Sequence, residues 1–153
     1  FLKISDMVLE DNSVFFSNNM NEFFSLDAST GILNWKQVVN SSLRPSIVND
    51  FIFTVSEEGF LIVIDSKSGK IIRSTDVFDK FKIKKRKKIK PTGFVLGSKK
   101  LYLSTSTGRL LIVDIETGKT QSIIKIDSEK ISRPIILKQS LFVVKNNSVI
   151  KLN

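Results

Sequence analysis

A chain of 153 residues, with 41% hydrophobic and 25% charged residues, is long enough to fold as a domain with a core. It contains no cysteine and no histidine, which excludes disulfides, thiolate metal sites, cysteine nucleophiles and the usual histidine general base. The formal net charge of +9 has to be located along the chain before it indicates anything about the partners of the whole fold.

The apolar residues are mostly isoleucine, valine, leucine and phenylalanine in short clusters, which favours β-strands over helices. Polar turns of two to five residues separate these clusters, as in an antiparallel meander. We predict strands in four successive units: residues 4–9, 14–16, 23–26 and 32–39; then 46–48, 51–55, 60–64 and 70–77; then 93–96, 101–104, 110–113 and 119–126; and finally 135–137, 141–144 and 149–152.

One five-residue turn occurs three times, as Asp27–Gly31, Asp65–Gly69 and Asp114–Gly118. In each copy an aspartate can accept hydrogen bonds from amides two or three residues on, a serine or threonine hydroxyl can do the same, and the glycine permits a positive φ. Turn chemistry therefore accounts for these residues without a ligand. We predict a structural role for Asp27, Thr30, Gly31, Trp35, Asp65, Ser68, Gly69, Asp114, Thr117 and Gly118.

A repeat of about 40 residues with four short strands is typical of a β-propeller blade. We predict an all-β fold, a single propeller segment over residues 1–153. Three blades are complete and the fourth lacks its outer strand; the blades cover residues 3–40, 44–78, 91–127 and 132–153. Four blades leave apolar faces exposed. We therefore expect a larger ring of seven or eight blades, completed by further blades before Phe1 or by self-association.

The sequence Leu-Asp-Ala-Ser-Thr-Gly ending at Gly31, with Trp35 four residues later, resembles the repeat of quinoprotein-like (PQQ-repeat) propellers. In that family the tryptophan of one blade packs on the turn of its neighbour. The equivalent positions here are Arg73 and Ser122 in the next two copies. The order of blades and the terminal Val-Ile-Lys-Leu hairpin are most similar to the C-terminal blades of the BamB lipoproteins of outer-membrane β-barrel assembly.

This resemblance implies a non-catalytic scaffold for protein contacts at the periplasmic face of the bacterial outer membrane. It implies a lipid anchor in a segment not present here, and a BamA-like barrel insertase as partner. Quinoprotein dehydrogenases resemble the same repeat, but they hold their cofactor with a stacked tryptophan, an adjacent cysteine pair and Ca²⁺. We predict no catalytic, cofactor-binding or metal-binding residues. The alternatives are a dehydrogenase-type propeller fragment that has lost or lacks its cofactor site, and an anionic-surface-binding module that uses the Lys80–Lys90 loop.

A basic inter-blade loop spans residues 78–91. Eight lysines or arginines lie between Lys80 and Lys90 with no acid among them, so residues 80–90 account for eight of the nine net charges. The alternatives for this loop are a solvated loop, an extended edge strand, and a contact for an acidic protein or an anionic membrane surface. Nucleic acid is disfavoured because only Phe78 and Phe81 flank the charges. The candidate contacts are Lys82, Lys84, Lys85, Arg86, Lys87 and Lys88.

Overall fold

Four antiparallel sheets of four, four, four and three strands make up the computed structural model, which describes residues 1–152. The predicted all-β fold, with three complete blades and a fourth without its outer strand, is confirmed. The chain divides into two compact units, Phe1–Thr75 and Asp76–Asn153. The first unit holds the first two sheets, apart from the last residue of β8, and the second unit holds the other two.

The first sheet has its strands in sequence order: β1 (Val8–Glu10), β2 (Ser13–Asn18), β3 (Glu22–Asp27) and β4 (Leu33–Gln37). The predicted strand over residues 4–9 is wrong in its first half. Ile4 forms only an isolated bridge with Asn18. The Ser5 hydroxyl accepts the Ser17 N–H at 2.9 Å, and this N–H is then not available to a regular ladder.

The second sheet follows the same plan, with β5 (Ser46–Val48), β6 (Phe51–Val55), β7 (Phe60–Asp65) and β8 (Ile71–Asp76). Strands β6 and β7 are buried on both faces. Their sequences are accordingly mostly apolar at successive positions and do not alternate between apolar and polar residues. Alternate residues of the first two sheets meet in the core of this unit. Its members are Phe15, Phe23, Val39, Ile52, Ile62 and Ile64, with Trp35 and Ile47 packed against them.

The second unit begins with a short helix, α1 (Ile83–Arg86), and continues with two sheets. The third sheet consists of β9 (Pro91–Gly97), β10 (Lys100–Thr105), β11 (Arg109–Asp114) and β12 (Thr120–Lys125), and the fourth of β13 (Ile135–Leu137), β14 (Ser140–Lys145) and β15 (Ser148–Leu152). Strand β15 is an edge strand because no described residue pairs with its outer side. The fully buried side chains of this unit include Phe78, Phe94, Leu101, Leu103, Leu110, Leu111, Val113 and Ile131.

Tight hairpin turns join the strands. Four pairs of adjacent residues have positive φ at both positions: Asp11 and Asn12, Ser98 and Lys99, Lys138 and Gln139, and Asn146 and Asn147. Two successive positive φ values are the geometry of turns that match the twist of a β-hairpin.

Among the residues that the structure describes, no helix is long and apolar enough to cross a membrane.

Candidate functional site

The first repeat turn is closed by the carboxylate of Asp27. Its Oδ1 accepts hydrogen bonds from the Ser29 N–H at 2.9 Å, the Thr30 N–H at 2.8 Å and the Thr30 hydroxyl at 3.0 Å. The Gly31 N–H donates to the Asp27 carbonyl at 2.8 Å, and Gly31 has a φ of 72°. The Thr30 backbone N–H is the main cause that lowers the pKa of Asp27. This carboxylate is therefore an ionised part of the turn.

The other two copies repeat this geometry. Asp65 Oδ1 accepts the Ser68 N–H and the Ser68 hydroxyl, each at 2.8 Å. Asp114 Oδ1 accepts the Thr117 N–H at 2.9 Å and the Thr117 hydroxyl at 3.2 Å. The pKa of Asp65 is lowered chiefly by the Ser68 N–H, and that of Asp114 chiefly by the Thr117 N–H. The structure places all three predicted turns as the same local motif, with Gly69 and Gly118 also at positive φ.

Trp35 joins the two blades of the first unit. Its indole Nε1 donates a 2.9 Å hydrogen bond to the Ser66 carbonyl, inside the turn of the second blade. A Cβ added to Gly69 would lie 2.5 Å from Cδ2 of the indole, so only glycine allows this close approach. Phe23 stacks on the indole with a centroid distance of 5.7 Å and an interplanar angle of 17°. Trp35 thus occupies the position that the family resemblance implies.

Gln37 adds a second polar contact to this joint, which sequence reasoning missed. Its Nε2 donates to the Gly69 carbonyl at 2.8 Å. Gln37 lies two residues after Trp35 on β4, so alternation along the strand places both side chains on one face. That spacing is the signal that could have found it.

The second unit joins its blades with different residues. A Cβ at Gly93 would lie 2.5 Å from Cβ of Arg133, and Arg133 Nε donates to the Phe94 carbonyl at 3.3 Å. The Thr92 hydroxyl donates to the Ile131 carbonyl at 2.9 Å. Ser122, which replaces the tryptophan in this copy, is exposed. The blades of this unit therefore meet through Arg133 and Thr92 between β9 and the segment before β13, rather than through a side chain on a repeat turn.

The residues present do not fit a quinone cofactor. The ring of Trp35 contacts Phe23 and the Gly69 turn, so it serves the contact between the two blades. The chain has no cysteine pair, and the three repeat aspartates are held by their own turns. Over residues 1–152, no three histidine, cysteine, aspartate or glutamate side chains are grouped so that they could hold a metal ion.

The basic segment, residues 78–91, contains a helical turn and is anchored by buried residues near both of its ends. Phe78 and Ile89 are buried, and Lys85 N and Arg86 N both donate to the Lys82 carbonyl, at 2.8 and 3.2 Å. The alternative of an extended edge strand is therefore wrong, because these bonds close a helical turn at α1. Asp76 holds the segment: its Oδ1 accepts the Phe78 N–H at 2.9 Å, and its Oδ2 pairs with the Arg86 guanidinium.

A concave cleft of about 700 Å³ lies beside this turn. Its lining combines the basic segment with the hairpin between β10 and β11, and consists of Lys80, Phe81, Lys82, Lys84, Lys85, Lys88, Ile89, Thr107 and Arg109. Four of the six predicted contact residues line it. Lys87 is exposed outside the lining, and Arg86 is engaged by Asp76.

Sequence reasoning counted Lys80 among the basic residues but left it out of the candidate contacts, and it missed Arg109. Lys80 Nζ donates to the Gln121 carbonyl at 3.0 Å. Arg109 follows Gly108 in a hairpin that the strand order places on the same face as the basic segment, which was the available signal. The guanidinium of Arg109 donates to the carbonyls of Thr107 and Asp127, at 2.8 and 3.0 Å.

Residues 4–75 match the model of a family described as outer membrane protein assembly factor BamB. These residues are the first unit with its Trp35 joint, and they make up slightly less than half of the chain. No curated protein sequence matches the chain at a significant level.

Three similar solved structures support the same architecture. BamB from Moraxella catarrhalis has a TM-score of 0.75 and 12% identity, and the alignment covers 96% of this chain and 41% of the BamB chain. The computationally designed protein Ika4 has a TM-score of 0.72 and 12% identity, and the alignment covers 97% of this chain and 89% of Ika4. Quinohemoprotein alcohol dehydrogenase from Comamonas testosteroni has a TM-score of 0.64 and 16% identity, and the alignment covers 81% of this chain and 21% of the dehydrogenase.

These likenesses establish the fold. The chain is a β-propeller segment that resembles BamB and its PQQ-type repeat, and it spans about two fifths of the length of the Moraxella protein. Because the identities are low, activities and partners of these proteins do not follow from the structural likeness alone.

Proposed function

We propose that the chain is part of a non-catalytic propeller scaffold, a BamB-like component that assists the assembly of outer-membrane β-barrel proteins. The observation that carries this proposal is the match of residues 4–75 to the BamB family over the blade pair joined by Trp35. The site supports it as well, because the aspartates of the repeat serve the turns rather than chemistry.

The proposed location is the periplasmic face of the outer membrane, with a lipid anchor in a segment that precedes this sequence. The proposed partner is a BamA-like insertase. A propeller suits this role because its short strands build a rigid frame, and its loops present contacts that differ from blade to blade. Exposed apolar residues on the first and last blades, such as Leu9 and Leu137, are the surfaces for further blades or a second copy.

The test is reconstituted barrel assembly. The full-length protein is added to proteoliposomes that contain the BamA-like insertase of the same organism, and the folding of a β-barrel precursor is followed by heat-modifiable mobility. We expect faster folding and direct capture of the insertase by the immobilised protein. If the insertase is not captured and folding is not accelerated, the proposal is overturned. Stoichiometric binding of pyrroloquinoline quinone with Ca²⁺ would instead favour the dehydrogenase-type alternative.

Ring completion has its own measurement. Native mass spectrometry of the full-length protein and of residues 1–153 separates the two arrangements. A monomeric full-length protein alongside an associating fragment indicates that further blades of the same chain close the ring. A fragment that stays monomeric and remains folded contradicts the expectation that its end faces need cover.

A further inference from the structure

The cleft at α1 is a concentration of positive charge that neither the fold nor the proposed scaffold role requires. It is lined by five lysines and one arginine, with no carboxylate among its lining residues. Concave surfaces lined by one sign of charge focus the electrostatic potential and attract counter-charged ligands. Among the described residues, the side chains of Lys82, Lys84, Lys85, Lys87 and Lys88 make no ion pair, whereas Arg86 is paired with Asp76.

The second observation is an apolar side chain in the middle of these charges. Ile83 opens α1 and is 80% exposed, between Lys82 and Lys84. Among the other apolar residues of the segment, Phe78 is fully buried, Ile89 is 5% exposed and Phe81 is half-buried. Nothing in the packing of this unit explains why a β-branched apolar residue stands in water at this position.

We propose that residues 80–90 bind the surface of an anionic phospholipid bilayer. Headgroup phosphates occupy the cleft beside Lys84, Lys85 and Lys88, and Ile83 inserts below them. A bilayer offers phosphates and hydrocarbon at adjacent depths, and basic segments with apolar side chains bind it through both. This inference is independent of the scaffold role, because it uses residues outside the part of the chain that matches the BamB family.

Two other classes of partner are less compatible with the geometry. Single-stranded nucleic acid is held by aromatic rings that stack on bases. Phe81, the aromatic residue of the cleft, packs edge-on against Phe78, with a centroid distance of 5.5 Å and an interplanar angle of 78°. An acidic protein segment would satisfy the lysines but would leave Ile83 without an apolar partner.

The segment is also preformed. The Ser106 N–H donates to the Lys90 carbonyl at 2.8 Å, and the Lys90 N–H donates to the Ser106 hydroxyl at 3.0 Å. Together with the Asp76–Arg86 pair, these bonds hold the turn before any ligand is present. Binding therefore does not have to order a flexible loop, which would oppose it entropically.

The test is co-sedimentation of the full chain with vesicles of phosphatidylcholine alone or mixed with phosphatidylglycerol. We expect binding to the mixed vesicles only, with weakening as salt screens the charges. The variant K84Q/K85Q/K88Q should bind about 100-fold more weakly, because each lysine near an anionic surface contributes about fivefold. The control K99Q/K138Q/K151Q removes the same charge from exposed lysines of the same unit and should bind as the parent does.

Ile83→Ser separates a bilayer from a soluble polyanion. Loss of the inserted side chain should weaken vesicle binding about tenfold, while Ile83→Leu should preserve it. Melting temperatures check that each variant is folded, which the exposure of Ile83 favours. Equal binding by the lysine variant and its control overturns the proposal. The proposal is also overturned if Ile83→Ser binds vesicles as tightly as the parent does and the parent binds polyglutamate or RNA as tightly as it binds vesicles. Those results would identify a soluble anionic partner.

Discussion

Trp35 and Gly69 approach each other so closely that a Cβ on the glycine would lie 2.5 Å from the indole ring. The two residues belong to adjacent blades, and the indole N–H reaches past the glycine to the Ser66 carbonyl at 2.9 Å. The turn that reverses one blade is thus also the surface on which the preceding blade rests. Substitutions on either side of this contact should reveal how much of the stability of the unit depends on it.

Gly69→Ala should be far more destabilising than Gly31→Ala, although the two glycines have nearly equal φ values of 74° and 72°. Each substitution places an L-residue in the left-handed region, at a cost of about 1–2 kcal/mol. A Cβ at Gly31 meets nothing within 4 Å, whereas at Gly69 it displaces Trp35, which adds about 1–3 kcal/mol. Urea unfolding of both variants measures the difference. Equal losses of stability would show that the Trp35 ring can move aside without a further loss of stability.

Trp35→Phe should destabilise the protein by about 1–2 kcal/mol, because it removes the donor to the Ser66 carbonyl while keeping a ring against Phe23. Trp35→Ala should cost about 3–5 kcal/mol, since it also leaves a cavity. Thermal and urea unfolding provide the measurement. Ile32→Ser is the control: this residue is 67% exposed and should be nearly neutral. A phenylalanine variant as stable as the parent would contradict the importance of the hydrogen bond.

Acid should weaken the repeat turns. Hydrogen bonds to Asp27, Asp65 and Asp114 lower the pKa of each carboxyl in the folded state, so the folded pKa lies below the unfolded one. The stability that they contribute is present above the unfolded pKa and is lost as pH falls through the folded pKa. The triple variant with asparagine at these positions should therefore lose less of its melting temperature between pH 7 and pH 3.

The matched control for this acid effect is D6N/D79N/E129Q, which removes three exposed carboxylates outside the turns. It should keep the acid sensitivity of the parent. If the turn variant and this control respond to pH in the same way, the acid sensitivity reflects net charge rather than the turn hydrogen bonds.

Asp76→Asn should loosen the basic segment without unfolding the sheets. Asparagine keeps the acceptor for the Phe78 N–H but loses the charge that pairs with Arg86. Both side chains are about 30% exposed, so the pair should contribute about 1 kcal/mol, or about a fivefold change in opening. Hydrogen exchange of the amides in residues 82–89 measures this. The control Asp79→Asn changes an exposed carboxylate of the same segment, and exchange that is equally fast in both variants would refute the assignment.

Much of the fold was predictable because the blade is a local structure. The alternation of short apolar clusters and turn residues located most strands to within one or two residues, such as β6 (Phe51–Val55) and β13 (Ile135–Leu137). The prediction failed at residues 4–9, where a buried serine competes for a ladder hydrogen bond. The short helix α1 within the predicted loop was not foreseen, because a run of basic residues interrupted at Ile83 and Ile89 has no period that distinguishes a strand from a helical turn.

The candidate site was only partly predictable. Charge counting identified the lysines of residues 80–90, but it could not separate Arg86, which pairs with Asp76, from the lysines that face solvent. Nor could it add Arg109, which lies almost 20 residues further along the chain and reaches the cleft through the hairpin of another strand pair. Contacts of this kind depend on how strands are placed in three dimensions.

The sequence by itself determined the repeat, the turn chemistry and the four-stranded blade, because each depends on residues within a few positions of one another. Only the tertiary structure decided what joins one blade to the next. In the first unit the joint is an indole over Gly69, and in the second it is Arg133 against Gly93, about 40 residues away. The Asp27–Trp35 stretch carries both kinds of information. Its turn follows from local hydrogen bonds, whereas the role of its tryptophan depends on a surface that the neighbouring blade supplies.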